Sequence, residues 1–287
     1  MFQAFDKVIG HDMHKKFFSL AISRGLLSHA YMFSGPASVG KRTFAIAVAS
    51  SELGISDEAL FRHPDVYECV VEEDSIGVDD VRDVIRFASR RPVKAKALHI
   101  LISRAERLTP AAADALLKTI EDPAAPIHIY LTVESKDQVP ETIVSRVQNI
   151  HFTPVSETVL IAAFPKASPK MIELSFGCPG RVVSWLQNPS LFEKEEKIHD
   201  FFKEVPRLDF VSRRALFSTL FEGDSMTGDE LIRIVDAWDR HVSSAVFFGE
   251  FLPEKAHALH TASILLRTGL SQHVHPELLV DRVLSVV

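Results

Sequence analysis

The sequence predicts an α/β fold, with a five-stranded parallel sheet in its first half and only helices in its second half. In residues 1–154, short apolar runs alternate with helical patterns, which is typical of a parallel sheet with helices on both faces. A glycine-rich loop lies between the first apolar run and the helical pattern that follows it. From about residue 155 the strand patterns stop, so the rest of the chain is predicted to be helical.

The five predicted strands are short apolar runs separated by the helical patterns. The run that leads into the glycine-rich loop has four consecutive apolar residues, which indicates a strand buried on both faces. In chain order the predicted strands are residues 30–34, 66–71, 97–102, 127–133 and 149–152.

Four helical patterns lie between these strands. The first leaves the glycine-rich loop and places apolar residues on one face. The third has the clearest boundaries, because Thr109 caps it, Pro110 occupies its first turn and Pro123 follows its end. In chain order the predicted helices are residues 41–53, 78–90, 110–121 and 140–146.

The helical second half is predicted to form two further domains, at residues 155–190 and 191–287, after a first domain at 1–154. Short helices are expected at 155–164, 169–176 and 182–186. Longer amphipathic helices are expected at 191–204, 209–221, 228–248, 253–270 and 276–286.

The composition is that of an ordinary globular protein, with 46% hydrophobic and 24% charged residues in 287. The chain has no run of 18 apolar residues, and its N-terminal segment lacks the pattern of a secretory signal. Cys69 and Cys178 are the only cysteines, so we expect neither a cysteine-rich zinc site nor a disulfide framework, and a reducing cytoplasm fits. The net charge of −6 argues against a protein whose affinity comes mainly from nucleic-acid phosphates.

The glycine-rich loop resembles the phosphate-binding pattern G-x-x-x-x-G-K-[ST], and Gly35, Gly40 and Lys41 match it. The last position normally carries a hydroxyl that ligates Mg²⁺, but here it is Arg42, which cannot ligate a cation. Thr43 comes one residue late, which turns it about 100° away around the helix. Phosphate could still bind at the helix N-terminus, whereas Mg²⁺-assisted hydrolysis is not expected. The simpler alternative is a glycine-rich turn between core elements.

A second set of magnesium positions is also altered. In NTPases with this loop, an acidic residue at the end of a later strand completes the Mg²⁺ shell. Ser103 stands where the metal-binding acid is expected, and Arg104 stands where a catalytic glutamate is expected. Glu106 lies two residues further on and is not expected to reach back, because side chains alternate along a strand. The sequence therefore predicts a nucleotide site without metal ligands, and no cofactor is required.

Several segments across nearly the whole chain carry a family resemblance. They include Val-Ile-Gly-His at 8–11, Ala-Leu-Leu-Lys-Thr-Ile-Glu-Asp-Pro at 115–123, Pro-Glu-Thr-Ile-Val-Ser-Arg-Val at 140–147, and residues 27–36, 63–66, 105–110, 177–181 and 276–279. These segments resemble the AAA+ clamp-loader family, and within it the delta-prime subunits of bacterial DNA polymerase III. The resemblance implies a P-loop AAA+ domain, a small helical lid, and an all-α collar that joins five subunits in a ring. Such complexes open the sliding clamp and place it on primed DNA.

The resemblance also implies roles for individual residues. In these rings the arginine of a Ser-Arg-Cys motif contacts ATP bound to the neighbouring subunit, and the matching residues here are Ser145 and Arg146, followed by Val147. Arg146 would be an arginine finger that stabilises transition-state charge in trans. The alternative is a surface arginine favoured by the helix dipole. Arg181 matches the lid arginine that senses nucleotide. The four-cysteine zinc module of many members is absent, so no metal is predicted.

Three arginines of the predicted helix 78–90 lie on one face at four-residue spacing: Arg82, Arg86 and Arg90. In clamp loaders the matching helix lines the inner chamber, so the resemblance implies contacts with the DNA backbone, which position DNA without reading its sequence. A solvated basic face would explain the spacing equally well.

Taken together, these patterns favour a clamp-loader subunit that does not hydrolyse ATP and supplies Arg146 to a neighbour. Its expected partners are the other subunits of a pentameric ring, the sliding clamp and primer–template DNA, with no membrane. The alternative is an active clamp-loader ATPase of the gamma/tau type, with an unusual metal shell that uses Thr43 and Glu106. A free-standing DNA-binding protein is a third hypothesis, which the acidic net charge disfavours.

Overall fold

The computed structural model describes residues 5–69 and 75–204, together with Leu208, Asp209, Val211, Ser212 and Ile234. The α-helices are α1 (Asp12–Arg24), α2 (Lys41–Leu53), α3 (Val78–Ala88), α4 (Pro110–Glu121), α5 (Glu141–Val144), α6 (Glu157–Ala163), α7 (Pro169–Leu174), α8 (Pro179–Gln187) and α9 (Pro189–Glu204). The strands are β1 (Ala30–Ser34), β2 (Val66–Cys69), β3 (Leu98–Ile102), β4 (Ile127–Val133) and β5 (Gln148–His151). Short 3-10 helices occupy Asp57–Arg62, Ala105–Arg107 and Lys136–Gln138.

The strands form one parallel sheet in the order β2-β3-β4-β1-β5. This confirms the predicted α/β fold with a five-stranded parallel sheet. The first strand, β1, lies between β4 and β5, so the chain leaves it toward one side of the sheet and later returns to its other side. In open α/β sheets, ligands bind at the carboxyl ends of the strands next to such a reversal of strand order. The glycine-rich loop lies at this place.

Both faces of the sheet are buried along β1, β3 and β4, as the continuous apolar strands predict, whereas the edge strand β5 is largely exposed. In β1, Ala30 and Met32 belong to the core that contains α3 and α4, whereas Tyr31 and Phe33 belong to the core that contains α1 and α2. Thr109 caps α4 as predicted, and its side-chain oxygen accepts a hydrogen bond from the backbone N–H of Ala112. The predicted bounds of β1, α2, α4 and β4 are confirmed, and the remaining predicted elements within the described ranges differ by a few residues at their ends.

Helix α1 was not predicted from the sequence. Its outer face exposes Met13, Phe17 and Leu20, while Phe18 is buried on its inner face. Apolar residues therefore lie on both sides of the helix, and this hides the 3.6-residue period that indicates an amphipathic helix. The helix ends at Gly25, which has a left-handed φ of 65°.

The described chain divides into two compact units, Met1–Ser168 with Gly177–Val182, and Pro169–Phe176 with Val183–Val287. The first unit contains all five strands. In the second, the rings of Trp185 and Phe192 lie 5.4 Å apart.

Among the described residues, no helix has the length and apolar character that a membrane span requires. The three-domain division stays a prediction, and the helices predicted at 209–221, 228–248, 253–270 and 276–286 lie outside the described residues except at isolated positions.

The far end of α2 is anchored to the sheet by a polar cluster of four residues, in which His99 and Tyr130 are buried and Glu52 and His128 are partly buried. The Nε2 atom of His128 lies 3.3 Å from one oxygen of Glu52, and the Nε2 atom of His99 lies 3.6 Å from the other. The other ring nitrogen of His128 lies 2.8 Å from the carbonyl oxygen of Ser28, and that of His99 lies 3.3 Å from the Tyr130 hydroxyl. Both nitrogens of His128 thus face acceptors, an arrangement that only a charged imidazolium satisfies with two hydrogen bonds.

The two histidines of this cluster differ in protonation. Burial lowers the pKa of His99 to about 4, although Glu52 partly opposes this shift. Burial also acts to lower the pKa of His128, but its hydrogen bond and charge interaction with Glu52 outweigh burial and raise it. Folding therefore keeps His99 neutral and favours the charged form of His128.

We expect the free energy of unfolding to decrease as the pH falls from about 6.5 towards 4, because unfolded His99 takes up a proton that folded His99 excludes. The decrease should be on the order of 3 kcal/mol for this residue. Above the ordinary histidine pKa, the stabilisation from charged His128 is lost as the pH rises through its raised pKa. Urea unfolding followed at a series of pH values measures both effects. A His99→Gln variant, which keeps a donor and an acceptor, should show a smaller fall in the free energy of unfolding between about pH 6.5 and 4. An unchanged fall would contradict the assignment of this effect to His99.

Candidate functional site

The glycine-rich loop joins β1 to α2, which is the strand–loop–helix setting that the pattern requires. Gly35 and Gly40 have φ angles of 143° and 111°, which side chains disfavour. A Cβ atom on Gly35 would also clash with the carbonyl oxygen of Phe152. The Gly35 N–H lies 3.2 Å from the carbonyl oxygens of both Val133 and Glu134, at the end of β4. The loop is thus pressed against the carboxyl edge of the sheet.

The side chain of Lys41 lies inside this loop and is only 8% exposed. Its Nζ atom donates to the carbonyl oxygens of Gly35 at 2.5 Å and Pro36 at 2.6 Å. Burial lowers the pKa of Lys41, although the carboxylates of Glu134 and Glu106 oppose the shift. To reach a phosphate, the ammonium would have to exchange these carbonyl contacts for the new one.

Arg42 occupies the position of the missing hydroxyl and points to β2. Its Nε and Nη2 atoms donate to the two oxygens of Glu68 at 2.7 and 2.9 Å. Its guanidinium also lies over the ring of Phe61, 5.5 Å from the centroid. A bidentate arginine–carboxylate pair has a defined geometry, so the guanidinium is held in this position. Arg42 therefore offers no oxygen atom that could ligate Mg²⁺.

The residues after β3 form a short turn at the same edge of the sheet. Arg104 has a left-handed φ of 56°, and its N–H donates to the Thr132 hydroxyl at 3.2 Å. Burial raises the pKa of half-buried Glu106, and Glu134 adds to this, whereas Lys41 acts to lower it. Glu106 and Lys41 thus interact electrostatically, and the expectation that Glu106 does not reach back to a magnesium position stays a prediction. Strand alternation does not apply to it, because it lies in the 3-10 helix Ala105–Arg107 beyond the end of β3.

Two contacts that support the loop were missed in the sequence. The Nε2 atom of His11 lies 3.2 Å from the Val39 carbonyl oxygen, and the Gly180 N–H donates to the Ser38 carbonyl oxygen at 2.9 Å. A Cβ atom on Gly180 would lie 2.9 Å from that oxygen, so this approach requires glycine. His11 belongs to the segment Val-Ile-Gly-His, which resembles clamp loaders. This resemblance was the only feature of the sequence that pointed to a role for His11. Half-buried Arg181 follows in the first turn of α8.

Arg146 lies in the turn after α5, with its side chain 34% exposed. Its Nε atom donates to Glu121 at 3.1 Å, and its Nη1 atom donates to the Thr142 carbonyl oxygen at 2.9 Å and the Ser145 hydroxyl at 3.3 Å. Ser145 thus contacts the predicted finger directly. Whether Arg146 acts on a second chain stays a prediction.

Arg82 and Arg86 of α3, and Arg90 just beyond it, are exposed, but they do not form a purely basic face. Arg82 pairs with Asp79 at 2.5 Å, and Arg86 pairs with Asp83 at 3.1 Å. The third, Arg90, lies just beyond the helix end, with its guanidinium over the ring of Phe87 at 5.2 Å. The alternation of charge reduces the positive potential that would attract a DNA backbone, and the DNA contact stays a prediction.

No group of three or more histidine, cysteine, aspartate or glutamate residues suited to a metal ion occurs in the described part of the chain. Cys69 and Cys178 are both buried and free, and burial raises the pKa of the Cys69 thiol to about 11.

The first half of the chain matches a known protein family. The family model described as "DNA polymerase III, delta subunit" matches residues 10–156, which is just over half of the 287 residues. A crystal structure of a DNA polymerase III gamma subunit-related protein from Thermotoga maritima is similar in fold, with a TM-score of 0.60. The match covers 94% of this chain and 97% of that one, at 16% sequence identity. At this identity the likeness concerns the fold alone.

The curated relatives are subunits of the same polymerase. The DNA polymerase III subunit gamma/tau of Mycoplasma genitalium is 26% identical over 278 residues, which cover 87% of this chain and 45% of the relative. The subunit gamma/tau of Mycobacterium tuberculosis strain H37Rv is 31% identical over 165 residues, which cover 52% of this chain and 28% of the relative. The chain thus spans less than half the length of these relatives. By the family match, the chain belongs to the DNA polymerase III delta subunit family of clamp-loader proteins.

Proposed function

We propose that the chain is a delta-prime-like clamp-loader subunit that does not hydrolyse ATP and supplies Arg146 to a nucleotide site on a neighbouring subunit. The observation that carries this proposal is the position of Arg42, which replaces the magnesium-binding hydroxyl and is tied to Glu68 by two hydrogen bonds. An arginine held in this way does not ligate Mg²⁺, and its side chain is directed to Glu68 instead of to a metal site.

The residues after β3 also support a nucleotide site without magnesium ligands in this chain. Ser103 and Arg104 take the places at which a metal-binding acid and a catalytic glutamate are expected. The loop N–H groups, Lys41 and Arg181 could still bind ATP or ADP without turnover, so no cofactor is required for the proposed role. Without a metal shell, the nucleotide would serve only to hold the loop and the following helix.

The proposed role implies partners. The relatives are named as subunits of DNA polymerase III, which supports a multi-subunit replication complex. The proposed partners are the other subunits of a pentameric ring in the cytoplasm, the sliding clamp, and primer–template DNA reached through the assembled complex. Because Arg82 and Arg86 are paired with aspartates, we expect DNA contacts of this chain alone to be weak.

One observation favours the alternative, an active ATPase of the gamma/tau type. Glu106 and Lys41 influence each other's pKa, so a carboxylate does lie near the phosphate-binding lysine. The curated relatives also carry the gamma/tau name. In this alternative, Glu106 and Thr43 would supply the oxygen ligands that Arg42 and Ser103 do not.

Nucleotide turnover by the purified chain separates the two proposals. We expect no ATP hydrolysis above background for the chain alone, and hydrolysis once its cognate gamma/tau-type subunit is added. Lys41→Ala should leave the rate of the mixture nearly unchanged, because this lysine would not act in turnover. Hydrolysis by the chain alone that disappears in Lys41→Ala would overturn the proposal and establish the alternative.

A further inference from the structure

Glu121, the last residue of α4, lies beside the guanidinium group of Arg146. Its Oε2 atom accepts a hydrogen bond from the Arg146 Nε atom at 3.1 Å. On the other side, Arg146 Nη1 donates to the Thr142 carbonyl oxygen at 2.9 Å and the Ser145 hydroxyl at 3.3 Å. Within the described residues, these contacts engage Nε and Nη1 and leave Nη2 to donate elsewhere. The guanidinium plane is thus oriented by contacts on two sides.

The position of Glu121 in α4 is electrostatically unfavourable by itself. It is the last residue of the helix and is followed by Asp122 at the C-cap, where the partial negative charge of the helix end repels carboxylates. Lys118 lies in the last turn of the helix, and Arg146 pairs with Glu121 from outside it.

This ion pair adds little to the stability of the fold. The side chain of Glu121 is 61% exposed and that of Arg146 is 34% exposed, and pairs as open to water as this contribute weakly to folding. A long arginine side chain without such a partner would sample many rotamers. The entropy lost when it is ordered against a phosphate would then reduce the stabilisation that it gives to that phosphate. The contact with Glu121 removes part of this cost in advance.

We propose that Glu121 is a positioning residue for Arg146, which holds the guanidinium so that its Nη2 edge is presented to the phosphates of a nucleotide bound by a neighbouring subunit. This inference rests on the proposed function of Arg146. Glu121 itself touches no nucleotide. It acts only through the arginine.

The test is ATP hydrolysis by the complex of this chain with its cognate gamma/tau-type ATPase, with kcat and KM measured separately. Glu121→Ala should lower kcat about tenfold and leave KM within about twofold, since one charge-assisted hydrogen bond is lost. Glu121→Gln, which keeps an acceptor oxygen but no charge, should lie between Glu121→Ala and the unchanged chain. Asp122→Ala is the matched control, because it removes an adjacent acid at the same helix end, and it should leave kcat unchanged.

A double-mutant cycle distinguishes positioning from a merely structural role. The double variant with Glu121→Ala and Arg146→Ala should be no slower than Arg146→Ala alone, because Glu121 acts only through that arginine. Losses that multiply, or a normal kcat for Glu121→Ala beside a slow Arg146→Ala, would overturn the inference about Glu121 and leave the finger standing. A normal kcat for Arg146→Ala would overturn the proposed function and this inference together.

Discussion

Replacing Arg146 with alanine is expected to lower ATP hydrolysis by the assembled complex on the order of 10³-fold or more, since arginine fingers contribute this much by stabilising charge on the transferred phosphate. The loss should fall mainly on kcat, because the guanidinium acts most strongly on the transition state. Folding should change little. The side chain is partly exposed, and its ion pair within the described part of the chain is with an exposed glutamate, so about 1 kcal/mol or less is expected.

The matched control for this experiment is Arg24→Ala. Arg24 is an exposed arginine in the last turn of α1, so it shares with Arg146 the favourable position of a cation at a helix end. Steady-state hydrolysis by the complex, together with sedimentation to verify assembly, measures the effect. If both variants hydrolyse ATP at the normal rate in an intact complex, Arg146 is only a surface arginine that suits the helix dipole. Arg146→Lys should not rescue activity fully, because lysine lacks the planar guanidinium.

Replacing Asp65 with alanine is expected to lower the free energy of unfolding by about 3–5 kcal/mol, because three backbone donors lose a buried acceptor. The side chain of Asp65 is fully buried just before β2. Its two oxygens accept hydrogen bonds from the backbone N–H groups of Val93, Lys94 and Ala95 at 2.7 to 2.8 Å. Burial acts to raise the pKa of Asp65, but these three donors outweigh it and lower the pKa.

Amide hydrogen exchange measures this effect locally, and urea unfolding measures it for the whole fold. In Asp65→Ala the amides of Val93, Lys94 and Ala95 should lose most of their protection, since their hydrogen bonds to the Asp65 carboxylate are removed. In Asp65→Asn a side-chain amide group would oppose N–H donors, so that variant should also be destabilised. Asp79→Ala, which removes a 91% exposed carboxylate, is the control and should change stability by less than about 1 kcal/mol. Retained protection at the three amides in Asp65→Ala would mean that the loop is held by other contacts.

The parts of this molecule that could be predicted are those in which local pattern and tertiary packing agree. The strand β1, the loop and α2 follow from a continuous apolar run, two glycines with unusual backbone angles and an apolar helix face. The bounds of α4 follow from Thr109 and Pro110, which act within one helical turn. In these places the information lies within a few residues of the element itself.

Helix α1 and the histidine cluster could not be predicted, for different reasons. The apolar residues on the exposed face of α1 remove the contrast that marks an amphipathic helix. His99 and His128 are 29 positions apart in the sequence, and they meet only because β3 and β4 pair in register, with His99 opposite His128. Sequence spacing is informative for neighbours along one element and says nothing about residues on different strands.

The sequence by itself determined the α/β class, the phosphate-loop position and the substitutions at Arg42, Ser103 and Arg104, because each of these depends on residue type at a fixed local spacing. Only the tertiary structure decided what those residues touch: that Arg42 turns to Glu68, that Glu106 lies in the electrostatic reach of Lys41, and that Glu121 holds Arg146. The reason is physical. Charge interactions and hydrogen bonds depend on distances of a few ångströms between elements that are far apart in the chain, and only the packing of the sheet and its helices sets those distances.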